Sequence, residues 1–287
     1  MAHVRAREVD QRGHYHRHSV VADTLPPTSR SVGQLMSLHI AQITYCHLQA
    51  HASTHYKGVD ADAHLDQCLT WLQQTVQVDL LMLTGDLSHF GSAMAYQRLQ
   101  QKLSGLAYPC IWLAGNHDHC ETMQQISGQP VEELRVLDYD HWRLLILNTT
   151  DAPDGHGGGS IARHQMAQMK PLLEVDAGRS VCVFMHHNAV PAHPLWQDDI
   201  FLGNAHEFTR LFASNPRVKA VICGHVHQPL ERFLGATRFI ATTSSAVQFA
   251  CQQQNFKVQE ELGPGLRLLN LLEDGQVNTK IQRLPKL

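Results

Sequence analysis

Apolar runs of strand length alternate with segments of helical periodicity in the first half of the chain. A continuous apolar run of four to eight residues between polar turns predicts a strand buried in a sheet. Such runs occur at 38–45, 79–85 and 109–114, and helical patterns lie between them near 60–77 and at 92–104. This alternation of strands and helices predicts βαβ units with parallel strands.

The second half of the chain supplies strands of its own. We predict paired strands, one helix, two single strands and two hairpins, at 135–148, 160–174, 181–186, 218–223, 230–249 and 265–283. Each half therefore provides a sheet with helices outside it. The fold class that follows is α/β, with two packed sheets rather than one open, doubly wound sheet.

The N-terminal segment has a different composition. Residues 1–35 are polar, rich in Arg and His, and show no apolar periodicity. Such a segment cannot bury enough apolar surface to offset the entropy lost on ordering. We therefore predict a disordered extension at 1–35 and one folded domain at 36–287. Met36 opens the first apolar run, so a mis-assigned start is an alternative origin of the extension.

Composition narrows the range of partners. The formal charge of -3 gives no basic excess of the kind that binds a nucleic-acid backbone. No apolar stretch has the length of a membrane-spanning helix, and the N-terminus lacks the apolar core of a signal peptide. The seven cysteines are odd in number and lack CxxC spacing, which indicates reduced thiols. We expect a cytoplasmic protein without nucleic-acid or membrane partners; its oligomeric state stays open.

Histidine is abundant, with 21 residues against 23 Lys and Arg together. Neutral imidazole is the commonest metal ligand in proteins. Potential ligands follow five of the predicted strands, where side chains of an α/β sheet converge on one crevice. These candidates are His47, Asp86, Asn116, His117, Asp118, His186, His187, His225 and His227.

This set of residue types indicates a centre with two divalent cations. Two cations about 3.5–4 Å apart clamp a phosphate and generate hydroxide from bound water at neutral pH. Asp86 is the candidate bridging ligand, Asn116 offers a neutral amide oxygen, and His117 is placed to act as general acid. Mixed imidazole and oxygen ligands favour iron or manganese and admit zinc.

A single histidine is more often a hydrogen-bonded core or surface residue than a ligand. We keep that interpretation for the histidines outside the strand ends, including His51, His55, His64, His141, His164 and His206. For the candidates at the strand ends, the same interpretation would require five independent coincidences. The glycines that precede Asp86, Asn116 and His225 also have a physical reason, because the backbone can turn sharply there and approach a ligand closely.

Four motifs stand in the order typical of one family: GD ending at Asp86, GNHD ending at Asp118, the His186-His187 pair, and GHVH ending at His227. Over about residues 36–284 the chain resembles the calcineurin-like metallophosphoesterases. More narrowly, it resembles the bacterial class III 3',5'-cyclic-AMP phosphodiesterases in stretches outside these motifs. Those stretches are Gly58-Val59, Ala95-Tyr96-Gln97, Pro109-Cys110-Ile111-Trp112-Leu113, Val247-Gln248-Phe249 and Pro264-Gly265-Leu266-Arg267.

The resemblance implies a fold, two ligand sets and a substrate contact set. The fold is a four-layer α/β/β/α sandwich of two mixed sheets. The first metal takes an Asp-x-His pair after the first strand, with bridging Asp86 and His227, and the second takes Asp86, Asn116, His186 and His225. The nucleotide is expected to contact His47, Asp86, Asn116, His117 and His227.

The chain departs from the family pattern two residues before His47, where Tyr45 stands in place of aspartate. A weakened first metal site is the leading hypothesis, because an anionic ligand is lost. Compensation by His89 is the second, since His89 follows Asp86 at the spacing of a metal-binding tyrosine in purple acid phosphatases. Ligation by Tyr45 as phenolate is the third, and it requires a metal that displaces a proton of pKa about 10. A sequence error or an engineered knockout is the remaining explanation.

The predicted function is metal-dependent hydrolysis of 3',5'-cyclic AMP to AMP by metal-bound hydroxide, with His117 and Asp86 as catalytic residues. One alternative is another phosphoester hydrolase on the same scaffold, because fold and metals are shared and only the pocket walls differ. The other is a nucleotide-binding protein whose turnover is impaired by Tyr45. A substrate panel separates the first alternative, and binding without AMP release would favour the second.

Overall fold

A computed structural model describes residues 37–174, 178–193, 195–212 and 215–287, together with three two-residue strands nearer the N-terminus. These strands are β1 (Glu8–Val9), β2 (Tyr15–His16) and β3 (Val21–Ala22). Apart from them, the extension predicted at 1–35 lies outside the described residues.

A five-stranded mixed sheet forms from both ends of the described domain. Its elements are β4 (Leu38–Ile43), α1 (Ala61–Thr75), β5 (Leu80–Thr84), α2 (Ala93–Leu103), β6 (Cys110–Leu113), α3 (Cys120–Ser127), β13 (Gly265–Leu271) and β14 (Val277–Arg283). The strand order is β14-β13-β4-β5-β6, in which β4, β5 and β6 run parallel and β13 is antiparallel to both its neighbours.

A seven-stranded mixed sheet takes up the middle of the chain. Its elements are β7 (Arg135–Asp138), β8 (Trp142–Ile146), α4 (Arg163–Glu174), β9 (Ser180–Met185), α5 (Leu195–Asp198), α6 (Ala205–Arg210), β10 (Val218–Cys223), β11 (Leu230–Leu234) and β12 (Thr237–Ala241). The strand order is β11-β12-β10-β9-β8-β7-β3, with β8, β9, β10 and β12 parallel.

Successive side chains along a strand point alternately into two apolar layers, as the two-residue period of a strand requires. Ile40, Leu80 and Met82 pack into the layer between the two sheets, together with Phe184 and Ile222 of the other sheet. The intervening residues of β4 and β5 pack outward against α1, α2 and α3. On the far side, α4 and α6 cover the seven-stranded sheet. The predicted four-layer α/β/β/α sandwich of two mixed sheets is confirmed.

The long elements lie within a few residues of their predicted bounds. Helix α1 begins where predicted because the Asp60 side chain accepts a hydrogen bond from the Ala63 amide (2.9 Å). The short helices α3, α5 and α6 are not among the predicted elements. The hairpin predicted at 230–249 ends at Ala241, and residues 242–249 form a buried loop beside the strand ends. All seven cysteines are free.

Candidate metal centre

The described structure brings the predicted ligands together at one edge of the two sheets. His47 follows β4, Asp86 follows β5 and Asn116 follows β6, while His186 and His225 follow β9 and β10. All five strands are parallel members of their sheets, so their carboxyl ends point to the same side. The convergence that the sequence predicts is therefore present.

The backbone at these positions adopts a rarely used conformation. Among the described residues, nine non-glycine residues have positive φ, and five of them belong to this centre: Tyr45, His47, Asp86, His225 and His227. Left-handed backbone costs energy in L-residues and is retained where the surrounding structure imposes it. Here it turns the chain at the strand end and aims the side chain into the crevice.

Two glycines make the close packing of the centre possible. A Cβ on Gly115 would lie 2.3 Å from Asp86 Oδ1, and a Cβ on Gly85 would lie 2.2 Å from His186 Nδ1. Gly85 also has a φ of +94°. Any side chain at either position would displace Asp86 or His186, so glycine is required by space and, at Gly85, by conformation as well.

One set of side chains corresponds to the ligands that the resemblance implies for the second metal and is called the second group. It consists of Asp86, Asn116, His186 and His225. His186 Nε2 lies 3.1 Å from Asn116 Oδ1, 3.5 Å from Asp86 Oδ1 and 3.3 Å from His225 Nδ1. Two imidazole nitrogens, one amide oxygen and one carboxylate oxygen therefore face one point. Four such donors suit a divalent transition metal.

Backbone carbonyls fix the orientation of both imidazoles in the second group. His186 Nδ1 donates to Thr84 O (2.9 Å), and His225 Nε2 donates to Ile200 O (2.8 Å). A neutral imidazole that donates through one nitrogen has a lone pair on the other. Each ring thus presents its acceptor nitrogen to the cluster, which is how a metal-binding histidine is held.

The first group consists of His47, Asp86 and His227, whose ligand atoms all lie within 4.8 Å of one another. His47 Nε2 is 3.4 Å from His227 Nε2 and 3.9 Å from Asp86 Oδ2. His227 Nδ1 donates to Val247 O (2.8 Å) in the buried loop, whereas the buried His47 Nδ1 has no hydrogen-bond partner among the described residues. Asp86 directs one oxygen toward each group.

Tyr45 fills the space beside the first group. Its ring centroid lies 3.5 Å from that of His227, and the residue is 1% exposed. Its hydroxyl is buried and has no hydrogen-bond partner among the described residues. A buried, unpaired hydroxyl costs about 1–3 kcal/mol. Tyr45 is therefore a poorly satisfied side chain at the position where the family pattern has a carboxylate.

His89 and His117 form a third cluster with His47. The His89 ring lies 4.7 Å from the His117 ring and 5.2 Å from the His47 ring. His117 donates its backbone amide to Asp86 Oδ1 (3.0 Å) and its Nδ1 to His89 O (3.0 Å). His89 clusters with His47 and His117, and not with Asp86 and His227.

Two sequence candidates have structural rather than ligand contacts. His187 accepts at Nδ1 from Thr149 Oγ1 (2.7 Å) and donates through Nε2 to Gly157 O (3.0 Å), so both ring nitrogens are engaged. The Asp118 carboxylate accepts hydrogen bonds from four donors, namely the Leu87, Ser88 and Gly115 amides and the Tyr96 hydroxyl. Asp118 thereby ties together the loops that carry Asp86 and Asn116.

Burial controls the charge state of the centre. It lowers the pKa of His186 to about 3 and that of His225 to about 4. Burial and then the neighbouring imidazoles lower the pKa of His47 well below 6.5, and burial does the same for His227. The imidazoles are neutral at pH 7 and available as ligands. Burial raises the pKa of Asp86 and of Asp118.

The family model of the calcineurin-like phosphoesterases matches residues 38–229. The chain therefore belongs to the calcineurin-like phosphoesterase family.

The chain is similar over most of its length to named relatives. It is 31% identical over 250 residues to the 3',5'-cyclic adenosine monophosphate phosphodiesterase CpdA of Pseudomonas aeruginosa, covering 86% of this chain and 90% of the relative. The protein of the same name from Escherichia coli strain K12 is 32% identical over 252 residues, with the same coverage. A dimetal phosphatase from Danio rerio shares the fold, with a TM-score of 0.63, 11% identity, and coverage of 84% of this chain and 98% of that one. None of the described helices is both long and apolar enough for a membrane span.

Proposed function

We propose that this protein is a metal-dependent phosphodiesterase that hydrolyses 3',5'-cyclic AMP to AMP. The observation that carries the proposal is the position of Asp86, whose two oxygens face two separate clusters of ligand atoms. A carboxylate shared between two clusters is the arrangement that a two-cation phosphoesterase needs. The substrate follows from the two relatives, which are named for this nucleotide and match over most of their length.

The donor sets of the two groups fit divalent cations unequally. Asn116, His186 and His225 would hold the second cation together with Asp86, and this mixed nitrogen and oxygen set suits iron, manganese or zinc. His47 and His227 would hold the first cation with the other Asp86 oxygen. When bound, two divalent cations supply Lewis acidity at the phosphate and lower the pKa of a water molecule.

The side chains of the protein position the phosphate and move a proton. His117 donates through Nδ1 to His89 O, so its Nε2 is the atom that can serve the reaction. We assign it the protonation of the departing 3'-oxygen, a role that contributes about 10²–10⁴-fold in other enzymes. The remaining proposed contacts of the phosphate are His47, Asp86, Asn116 and His227, whose side chains lie close to one another.

Tyr45 makes the first group the weaker half of the centre. The buried Tyr45 ring stands where the family pattern has an anionic ligand. His89 does not replace that ligand in our proposal, because its ring nitrogens group with those of His47 and His117 rather than with Asp86 and His227. The same observation favours a second candidate function, a protein that binds the cyclic nucleotide and turns it over poorly.

Metal-dependent AMP release tests the proposal. The purified chain is stripped with a chelator, reloaded separately with iron, manganese or zinc, and offered cyclic AMP beside glycerophosphodiesters and phosphomonoesters. We expect 5'-AMP as the product and cyclic AMP as the preferred substrate. Preference for another phosphoester at every metal would contradict the proposal, and tight binding of cyclic AMP without AMP release would support the second candidate.

A further inference from the structure

A column of rings leads from the candidate metal centre to the surface. The His117 ring lies 4.7 Å from the His89 ring, with 29° between their planes, and the His89 ring lies 4.2 Å from the ring of Phe90. Phe90 is 78% exposed, and its only ring contact among the described residues is with His89. The column therefore ends in an aromatic ring that is open to solvent.

The backbone on both sides of Phe90 is held firmly. His89 donates its amide to Leu48 O (3.1 Å), and the Ser92 amide donates to Ser88 Oγ (3.0 Å). Gly91 has a φ of +62°, and a Cβ there would lie 2.6 Å from His119 Cβ, so the chain is tightly packed against this neighbour. Single exposed apolar side chains are common on proteins and need no explanation. An exposed ring at a fixed place, in contact with a histidine that stacks on His117, is a more specific feature.

Two other phenylalanine rings near the candidate metal centre, Phe256 and Phe249, are less exposed than Phe90. Phe256 is 46% exposed, but Lys57 Nζ lies 4.5 Å above its ring and its edge packs against Phe249. Phe249 itself stacks on His227 at 3.8 Å. Of these three rings, Phe90 is the most exposed.

We infer that Phe90 stacks on the adenine base of the nucleotide and is a specificity-determining contact. The inference rests on the proposed function, in which His117 faces the phosphate ester. In a 3',5'-cyclic nucleotide the ribose ring lies between phosphate and base. In the protein, the His89 ring likewise lies between the His117 ring and the Phe90 ring and contacts both. Stacking of a base on an aromatic side chain is worth on the order of tenfold in affinity, and often more.

The kinetic test compares two substrates and four variants. Phe90→Ala should raise KM for cyclic AMP about tenfold and leave kcat within about twofold. It should leave the kinetics on the methyl riboside 3',5'-cyclic phosphate, which has no base, unchanged. Phe90→Tyr should behave like the parent protein. Phe233→Ala, which removes another exposed ring on β11, is the matched control. Equal losses on both substrates, or a KM effect confined to Phe256→Ala, would overturn the inference.

A binding measurement separates this inference from the proposed function. In protein with labelled phenylalanine, nuclear Overhauser contacts should connect the adenine protons of bound AMP to the Phe90 ring, and Phe90→Ala should abolish them. Such contacts in a protein that releases no AMP from cyclic AMP would sink the proposed activity and leave the stacking intact. Normal hydrolysis of cyclic AMP without these contacts would overturn the stacking alone.

Discussion

The two groups of the candidate metal centre lie on either side of Asp86 and are built differently. The second group adds an amide oxygen and two imidazoles, and backbone carbonyls hold both of these rings. The first group adds two imidazoles, of which only His227 is held in this way. His47 Nδ1 and the Tyr45 hydroxyl are buried without partners among the described residues.

The difference indicates that converging strand ends bring donor atoms together but do not fix the number or the orientation of those donors. Both groups arise from the same architecture and both lose water to the same degree, as the nearly complete burial of their histidines shows. What differs is the number of donor atoms and the pre-organisation of the ligands. Hydrogen bonds that hold a metal-binding side chain in its orientation commonly account for a 10–100-fold difference in metal affinity. We therefore expect the second group to bind its cation first.

Removing an imidazole from the second group should have the largest effect. His186→Ala or His225→Ala should abolish AMP release and lower the bound metal to less than about a tenth, because each substitution deletes a ligand from the stronger group. Metal analysis by mass spectrometry and the AMP assay measure the two effects. His206→Ala, at an exposed histidine, is the control. Full metal content and rate in His225→Ala would contradict the assignment of the second group.

Loss of His117 should slow turnover without changing either group. His117→Ala should lower kcat about 10²-fold, since the departing oxygen loses its proton donor. Metal stoichiometry should stay at the parent value, because the hydrogen bond from His117 to Asp86 among the described residues comes from its backbone amide, which the substitution keeps. A substantial loss of metal in this variant would place His117 among the ligands instead.

Tyr45→Asp should make the first group bind metal more nearly as well as the second group. Restoring the carboxylate should raise the metal content toward two per chain and increase AMP release about tenfold, because a charge-assisted contact is worth more than 1 kcal/mol. Tyr45→Phe is the matched control, since it keeps the ring and removes the hydroxyl. A drop in metal content in Tyr45→Phe would show that the phenol oxygen is itself a ligand.

Acid should weaken metal binding through Asp86 before it affects the imidazoles. Its pKa is raised from 3.8 by burial, so protons compete with a cation for this carboxylate at a higher pH than for an exposed one. The pKa values of His186 and His225, about 3 and 4, keep both rings neutral as the pH falls from 7 to 5. Affinity should fall by at most about tenfold per pH unit, the slope for one proton. Calorimetry that finds more than one proton released per cation in this range would contradict this account.

The sequence predicts which ligand side chains meet at the strand ends, but it does not predict which groups hold those side chains in place. The motifs around Asp86, Asn116 and His225 place ligand side chains directly after apolar runs, so their convergence follows from sheet geometry alone. The carbonyls of Thr84 and Val247 that orient His186 and His227 carry no sequence signal, because every residue has a carbonyl. Their selection depends on tertiary packing.

Asp118 shows a second kind of limit. Its place in the GNHD motif makes it a ligand candidate, yet its carboxylate accepts hydrogen bonds from three backbone amides and from the Tyr96 hydroxyl. The resemblance at Ala95-Tyr96-Gln97 was the available signal for this role, but it does not reveal which partner the hydroxyl contacts. Side-chain direction decides between ligand and support, and the motif does not encode it.

Replacing His89 should have the smallest effect, and this substitution tests whether the two groups differ as described. Because His89 clusters with His47 and His117 and apart from Asp86 and His227, His89→Ala should change metal stoichiometry little and AMP release by less than about threefold. The gain from Tyr45→Asp should then be the same with and without His89. If His89 supplied the missing ligand, Tyr45→Asp would bring little in the parent chain and a large gain in the His89→Ala background. Metal content and AMP release of the four proteins in this double-mutant cycle give the coupling directly. A strong coupling would move His89 into the first group and make the two halves of the centre nearly equal.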